Sequence, residues 1–248
     1  MTLPILDYDA TPQAVIEPFR DQGFVLPAKM LFAFISASNI AQFVAQYPHQ
    51  VVAQYDTISH HFDVYALTVA GQTIGLCQAP LGAPAATQLL DFLIGYGAQT
   101  IIAVGSCGVL TPTPENQLLV VTRALRDEGT SYHYLPAAAE IDLAPGMVNH
   151  LLRTLDQRAK AVATWTTDAY YRETSAKIQT ALAAGFEVVE MECAALSACA
   201  QFRRVKFGQV LFTADSLASL SAYDARDFGQ AAHLPALTAV MRCLVAAE

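Results

Sequence analysis

An α/β sandwich is the fold class this sequence predicts, and three observations predict it. Continuous apolar runs, the mark of strands buried on both faces, occur at 30–35, 100–104 and 207–212. Between them lie segments with helical spacing, such as Leu89, Leu90, Leu93 and Ile94 on one side of 85–96. The polar and acidic residues gather where the runs end, and in such folds strand ends open onto the ligand crevice.

Taken in order, residues 1–29 are rich in proline and acids, show little periodicity, and read as an irregular arm. No Pro/Gly/Ser-rich linker or charge run divides the rest of the chain, so 30–248 reads as one domain. The first buried strand, 30–35, is followed by helical spacing of Ile40, Phe43 and Val44, with Ser38 as N-cap. Segments 51–55, 62–69 and 73–78 are strand-like, the last two joined by a Gly71-Gln72 turn. Helix 85–96 ends at Gly97 as a C′ glycine. Strand 100–104 empties into the glycine-rich loop Gly105-Ser106-Cys107-Gly108, a type of loop whose N–H groups can face an anion. After strand 118–122, residues 126–136 are dense in polar and aromatic side chains. They read as a site or subunit contact, or as a surface loop tied by pairs from Arg126. Helix 145–157, strand 160–164 and helix 175–183, closed by Gly185, come next.

The segment 187–200, EVVEMECAALSACA, is the most informative. Val188 and Val189 are strand-like, the chain turns helical at Cys193, and Glu190-Met191-Glu192 lies between. If the strand persists, the two carboxylates point to one side, where a carboxylate can accept hydrogen bonds from paired hydroxyls such as those of a ribose. The alternative is a strand-to-helix junction with acids placed at a helix N-terminus. The last central strand, 207–212, delivers Asp215, which reads as a site acid or as a turn former, and 224–245 is a closing helix interrupted at Pro235.

Composition narrows the function classes. Charged residues make up 15% and hydrophobic residues 54%, against about a quarter charged in a typical globular domain. So little charge covers a surface thinly, and part of it is expected to be buried in an oligomer. A net charge of −8 argues against nucleic acid as a partner. No apolar run approaches the ~18 residues of a membrane span, and the N-terminus lacks the basic region of a signal peptide. A cytoplasmic protein with no membrane partner is expected. The five cysteines are odd in number and never spaced as CxxC, so they read as buried thiols of a reducing compartment. Cys107, flanked by glycines, is the one candidate for reactivity. His60-His61 has no third ligand in view, reads as solvated strand residues, and leaves no metal expected.

Several of these segments together carry a resemblance. EMECAA at 190–195, APLGAPAA at 79–86, IIAVGSCGVL at 101–110, RDEGTSYHYLP at 126–136, TTDAYY at 166–171 and VLFTADSL at 210–217 resemble, in order and spacing, a nucleoside phosphorylase family. That family includes uridine phosphorylase, hexameric purine nucleoside phosphorylase and the methylthioadenosine nucleosidases. The resemblance covers roughly residue 30 to the C-terminus. It implies a single-domain, three-layer α/β/α sandwich with a mixed central sheet. It also implies an enzyme of nucleotide salvage that cleaves the N-glycosidic bond of uridine or a purine nucleoside with phosphate, releasing free base and pentose 1-phosphate. The implied partners are small molecules, a nucleoside and inorganic phosphate as co-substrate with no other cofactor. The implied assembly is a homo-oligomer built on dimers, as far as a hexamer, in which N-terminal segments can reach a neighbour's site.

Residue by residue, the resemblance implies that Met191 and Glu192 hold the ribose, Tyr170 stacks on the base, Asp215 protonates purine N7, and Gly105 and Ser106 meet phosphate. The sequence departs from the family at three phosphate arginines, whose places are taken by Ile40, His60 and Ala103. Arg126 is the first candidate for a relocated phosphate ligand. Thr174 and Ala176 stand where uridine phosphorylases read uracil, and Arg172 and Glu173 either replace that pair or are solvated.

Breaking an N-glycosidic bond puts positive charge on the sugar and negative charge on the leaving base. An acid must meet the base, which Asp215 can do if its pKa is raised; a carboxylate must fix the ribose hydroxyls; and a nucleophile must be held beside the sugar. Phosphate carries close to two charges, and arginine is its natural bidentate partner. Three hypotheses compete: a phosphorylase with a remodelled phosphate site, a nucleosidase using water, and a non-catalytic nucleoside-binding protein.

Overall fold

The computed structural model of the protein describes residues 3–246. Residues 1, 2, 247 and 248, the outer ends of the expected arm and closing segment, lie outside the described residues. In chain order the elements are β1 (Lys29–Phe34), α1 (Ala37–Val44), β2 (His49–Asp56), β3 (His61–Val69), β4 (Gln72–Gln78), α2 (Ala83–Gly95), β5 (Thr100–Val109) and β6 (Leu118–Asp127). Then come β7 (Glu140–Asp142), α3 (Pro145–Leu155), β8 (Ala159–Thr167), α4 (Ser175–Ala183), β9 (Val188–Glu190), α5 (Cys193–Arg203), β10 (Lys206–Ser216) and α6 (His233–Val245). Ahead of β1 the described chain has one short 3-10 turn, Pro4–Leu6.

One mixed sheet runs β10-β6-β8-β9-β5-β1-β4-β3-β2, and β10 also pairs with β5. The single mixed sheet of an α/β fold is as expected, and part of it closes on itself. Strands β10, β6, β8, β9 and β5 close into a ring, from which β1, β4, β3 and β2 extend as a wing. The cause lies in β5. Its register with β10 runs from Thr100 to Val109, which fills one edge; the other edge is shared by β1, as far as Gly105, and β9, from Gly108. Helix α2 packs on α5, while α1 and α3 pack on α6. A main core that includes Phe32, Phe43, Leu67, Leu76, Leu89 and Phe212 joins sheet and helices, and a smaller cluster around Trp165, Ile178 and Phe186 seats α4.

Several boundaries differ from the sequence expectation for physical reasons. Residues 105–108 are not a loop: they continue β5, because β10 and β9 supply partners for them. Strands β6, β8 and β10 are likewise longer than their apolar runs, so Arg126, Thr166 and Asp215 sit on strands. Ser38 lies inside α1, and the flanking position belongs to Ser36. Pro235 does not interrupt the closing helix; it lies in the first turn of α6, where a missing N–H costs no hydrogen bond. Gly97, expected to terminate α2, has φ +118, a conformation costly for any residue with a Cβ.

Candidate active site

A cleft of about 1110 Å³ opens where β5, β9 and β10 end, and it gathers residues from opposite ends of the chain: Ser36, His60, Gly105, Ser106, Tyr170, Glu173, Met191, Glu192, Gln209 and Asp215 all line it. Its floor is set by the register of β5. Beyond Gly105 the β1 edge is finished, and β9 begins only at Gly108. Ser106 and Cys107 therefore have no strand on that edge, and Ser106 is exposed to the cleft. The Gly105-Ser106 segment expected to meet an anion thus presents an unpaired strand edge rather than a loop.

The tripeptide Glu190-Met191-Glu192 splits its carboxylates between two tasks. Strand β9 ends at Glu190, whose Oε1 accepts from the hydroxyls of Thr166 at 2.6 Å and Thr164 at 3.3 Å. Its Oε2 accepts the N–H of Glu192 at 2.8 Å and of Cys193 at 2.7 Å, closing the N-terminus of α5. Glu190 is thereby the junction acid of the second sequence reading. Glu192 faces the cleft, also buried, and accepts the Gly82 N–H at 2.5 Å. Gly82 has φ +92, so the close approach of that backbone depends on glycine. Burial first and the neighbouring Glu190 second push the Glu192 carboxyl up to about 8, against the backbone N–H groups of Gly82 and Met191. Burial raises Glu190 too, against the four hydrogen bonds it accepts, which favour its ionised form.

Asp215, near the end of β10, is buried at the other side of the cleft. Its Oδ2 accepts the Tyr223 hydroxyl at 3.0 Å, and Tyr223 in turn lies 3.0 Å from the Tyr170 hydroxyl. Burial raises the Asp215 carboxyl above the ordinary aspartate range; the Tyr223 bond, its own backbone N–H and Arg226 pull it back. Tyr170, half-open to solvent, meets Tyr171 edge-on and leaves a ring face for a flat ligand. Gly108 lets the backbone pass beside this acid: a Cβ there would stand 3.4 Å from Asp215 Oδ1 and 2.7 Å from Leu217.

Two expected residues are not in these roles. Arg126 is buried away from the cleft. Its guanidinium donates to Ser131 Oγ at 2.9 Å and to the Pro136 and Leu135 carbonyls, and lies over the Tyr132 ring. Nε, Nη1 and Nη2 each donate within 131–136, and Arg126, expected as the relocated phosphate ligand, is not among the residues lining the cleft. Cys107, although it lines the cleft, is buried beside Glu190 and Asp215, and burial followed by those charges drives its thiol far above the usual range. It is not a reactive thiolate. His60 lines the cleft of its own chain. Among the described residues lining the cleft there is no lysine or arginine.

Sequence reasoning missed two residues, Tyr223 and Gln209, and left Glu173 open between a site residue and a solvated one. Tyr223 lies in a polar stretch beside the expected closing helix, where nothing marks it. Gln209 carried a signal: a lone amide inside the apolar run 207–212. It sits beside Ala103 in register, is buried, and its Oε1 has no hydrogen-bond partner among the described residues. Glu173 has no orientation that spacing could supply; it lines the cleft.

Comparison with known proteins bears on the family and the fold. The sequence model of the phosphorylase superfamily matches residues 33–242. A guanosine phosphorylase of Halorubrum lacusprofundi is 25% identical over 166 residues, 65% of this chain and 67% of the relative. A uridine phosphorylase of Thermococcus kodakarensis is 30% identical over 106 residues, 41% of this chain but only 38% of the relative. The fold is shared with uridine phosphorylase from Vibrio fischeri, TM-score 0.76 at 20% identity, covering 92% of this chain and 94% of that one. It is shared equally with purine nucleoside phosphorylase from Toxoplasma gondii in complex with immucillin-H, TM-score 0.77 at 17% identity and the same coverage.

Proposed function

Because the chain belongs to the phosphorylase superfamily, we propose that it is a nucleoside phosphorylase cleaving the N-glycosidic bond of a purine nucleoside. The observation that carries this reading is that Glu192 and Asp215, 23 positions apart on different elements, are both buried carboxyl groups lining one cleft. In this reading Glu192 accepts the ribose hydroxyls, Met191 packs against the sugar, and Tyr170 stacks on the base. As the C1′–N9 bond breaks, its electron pair moves into the purine and the Asp215 proton passes to N7. A phosphate oxygen, held at the Gly105–Ser106 edge, bonds to C1′ to give pentose 1-phosphate and free base. Phosphate is the co-substrate, and no other cofactor takes part.

The wider setting is read the same way. The thin surface charge and the exposed Ile58 and Leu81 near the cleft support a homo-oligomer. In it the arm 1–29 reaches a neighbour, and the enzyme serves nucleotide salvage in the cytoplasm. No helix among the described residues is long and apolar enough to cross a membrane.

A second reading has an observation of its own. The nucleophile end is lined by Ser36, Gln78, Ser106 and Gln209, with no arginine or lysine among the described lining. Such a neutral surface suits water better than a dianion, which favours a nucleosidase. Free-base release from inosine, guanosine, adenosine and uridine, with and without phosphate, decides between them. Phosphate-dependent release supports the phosphorylase; identical release in its absence supports hydrolysis; binding without release removes both.

A further inference from the structure

The Tyr223 hydroxyl stands between Asp215 and solvent, and the chemistry described so far gives it no part. Past β10 the chain loops out and returns. Ser216 and Asp224 exchange backbone hydrogen bonds of 2.8 and 3.1 Å, which brings Tyr223 back beside Asp215. There Tyr223 donates to Asp215 Oδ2 at 3.0 Å, and its oxygen lies 3.0 Å from the Tyr170 hydroxyl. A phenol has a single proton to donate. Tyr223 gives its own to the ionised Asp215, so Tyr170 donates to Tyr223, and both O–H bonds point toward the acid. Asp215 is only 8% exposed and opens onto the cleft, whereas Tyr170 and Tyr223 are 39% and 52% exposed.

We propose that Tyr170 and Tyr223 form a proton path from solvent to Asp215 that works while a bound base covers the cleft side of the acid. This rests on the nucleoside-cleavage reading and adds to it how the acid is reloaded. Each turnover leaves Asp215 ionised, because its proton departs on the base. Reloading moves protons one place along the chain. Solvent gives one to the Tyr170 oxygen, Tyr170 gives its own to Tyr223, and Tyr223 gives its own to Asp215 Oδ2. Both hydroxyls end with the proton count they began with, and the carboxylate gains one. The solvent proton is made good by hydrogen phosphate, which gives up its hydrogen as its oxygen bonds to C1′. Rotation of the two hydroxyls resets the path.

Among the described residues, Tyr223 is the one side chain that hydrogen-bonds the Asp215 carboxyl. The other ionisable groups around the acid are Cys107 on β5, Glu173 beside the 170–172 turn, and Arg226. Cys107 donates to the Phe212 carbonyl, and Arg226 to Asp224 and the Thr113 carbonyl. Glu173 lines the cleft, so a bound base closes that side as well. Partial burial first, then the bond with Tyr170 and the charge of Asp215, push the Tyr223 hydroxyl well above the tyrosine range. It therefore passes a proton by exchange and forms no phenoxide. Stacking on Tyr170 uses the ring face and leaves the hydroxyl, at the ring edge, in the chain. The path matters most at saturating nucleoside. At low nucleoside the empty cleft lets solvent reach Asp215 directly; at saturation the cleft refills first, and the hydroxyl chain is the remaining way in.

The test is steady-state base release from inosine at pH 7 by the full-length protein, Tyr223→Phe and Tyr170→Phe, with kcat and KM resolved, in ordinary and in heavy water. Each substitution keeps the ring and removes one hydroxyl of the chain. In both variants kcat is expected to fall about 10-fold and KM for inosine to fall with it, so that kcat/KM stays within about twofold. The solvent isotope effect on kcat is expected to exceed that of the unaltered protein, because proton entry has become the slow step. A group that merely positioned Asp215 or Tyr170 would lower kcat/KM as much as kcat. That outcome, or a kcat within about twofold of the unaltered value in either variant, overturns the path and leaves the nucleoside reading standing. A loss of kcat without the larger isotope effect marks slower product release and overturns it too. Absence of base release from any nucleoside by the unaltered protein overturns both.

Discussion

Glu190 and Glu192 stand two residues apart in one buried cleft and are held in contrasting ways. Glu190 accepts four hydrogen bonds, from Thr164, Thr166 and two backbone N–H groups, whereas Glu192 is held by backbone N–H groups alone, that of Gly82 at 2.5 Å. The first is spent on the fold, and the second remains available to a ligand.

The fold role of Glu190 has a measurable size. Replacing it with alanine leaves two threonine hydroxyls and the first N–H groups of α5 without their acceptor in the buried wall of the cleft. At about 1–3 kcal/mol per unpaired group, the expected loss is at least about 3 kcal/mol in urea unfolding. A loss below about 1 kcal/mol would mean that α5 is anchored by something else.

Glu192 ties stability to pH. Its carboxyl, near 4.5 when unfolded, is pushed up to about 8 in the fold by burial and by Glu190. The folded state therefore favours the protonated form. That contribution is whole below the unfolded value and is lost as pH rises through about 8. Glu192→Gln keeps an acceptor for Gly82 and removes the ionisation. Its melting temperature is expected to exceed that of the unaltered protein at pH 8.5 and to approach it at pH 5, while ribose-dependent turnover falls. Parallel melting curves across that range would remove the assignment.

Tyr223 pulls the Asp215 carboxyl down by donating to it. In Tyr223→Phe that restraint is gone, and the acid holds its proton to higher pH. The high-pH limb of kcat/KM is expected to move upward, with little change in stability at this exposed position. A limb that stays in place would show that Asp215 does not set it.

Arg126 holds the 128–136 segment rather than an anion, and Arg126→Met tests that division. The substitution frees the Leu135 and Pro136 carbonyls and Ser131, so stability is expected to fall by about 2 kcal/mol. KM for phosphate should stay within about twofold, since the guanidinium never faces the cleft. A tenfold rise in phosphate KM with unchanged melting temperature would restore Arg126 as an anion ligand.

How much of the fold and the site is legible in the sequence depends on the kind of signal. The apolar runs at 30–35 and 207–212 and the spacing of 175–183 locate β1, β10 and α4, because burial writes itself as hydrophobicity. The EMECAA segment announces both carboxylates; the resemblance singles out Glu192 for the ribose, but the spacing alone does not separate it from Glu190. That separation depends on Thr164 and Thr166, two positions of another strand whose hydroxyls happen to face Glu190. The 105–108 segment reads wrongly as a loop because glycine suggests a turn, whereas its partners in β9 and β10 are long-range and leave no local trace. Arg126 misleads for a similar reason: a charge in a polar stretch looks available until the carbonyls that occupy it are seen. Closure of the sheet through β5 and β10 is a matter of register, which periodicity does not encode.

The most direct test is hypoxanthine release from inosine by Asp215→Asn, set beside the unaltered protein at saturating phosphate. An asparagine keeps the bond from Tyr223 and the shape of the side chain but has no proton to give N7. The expected result is a fall in kcat of at least about 100-fold with a near-normal melting temperature. A rate within about threefold of the unaltered protein would contradict the convergence of Asp215 and Glu192 on one bound nucleoside.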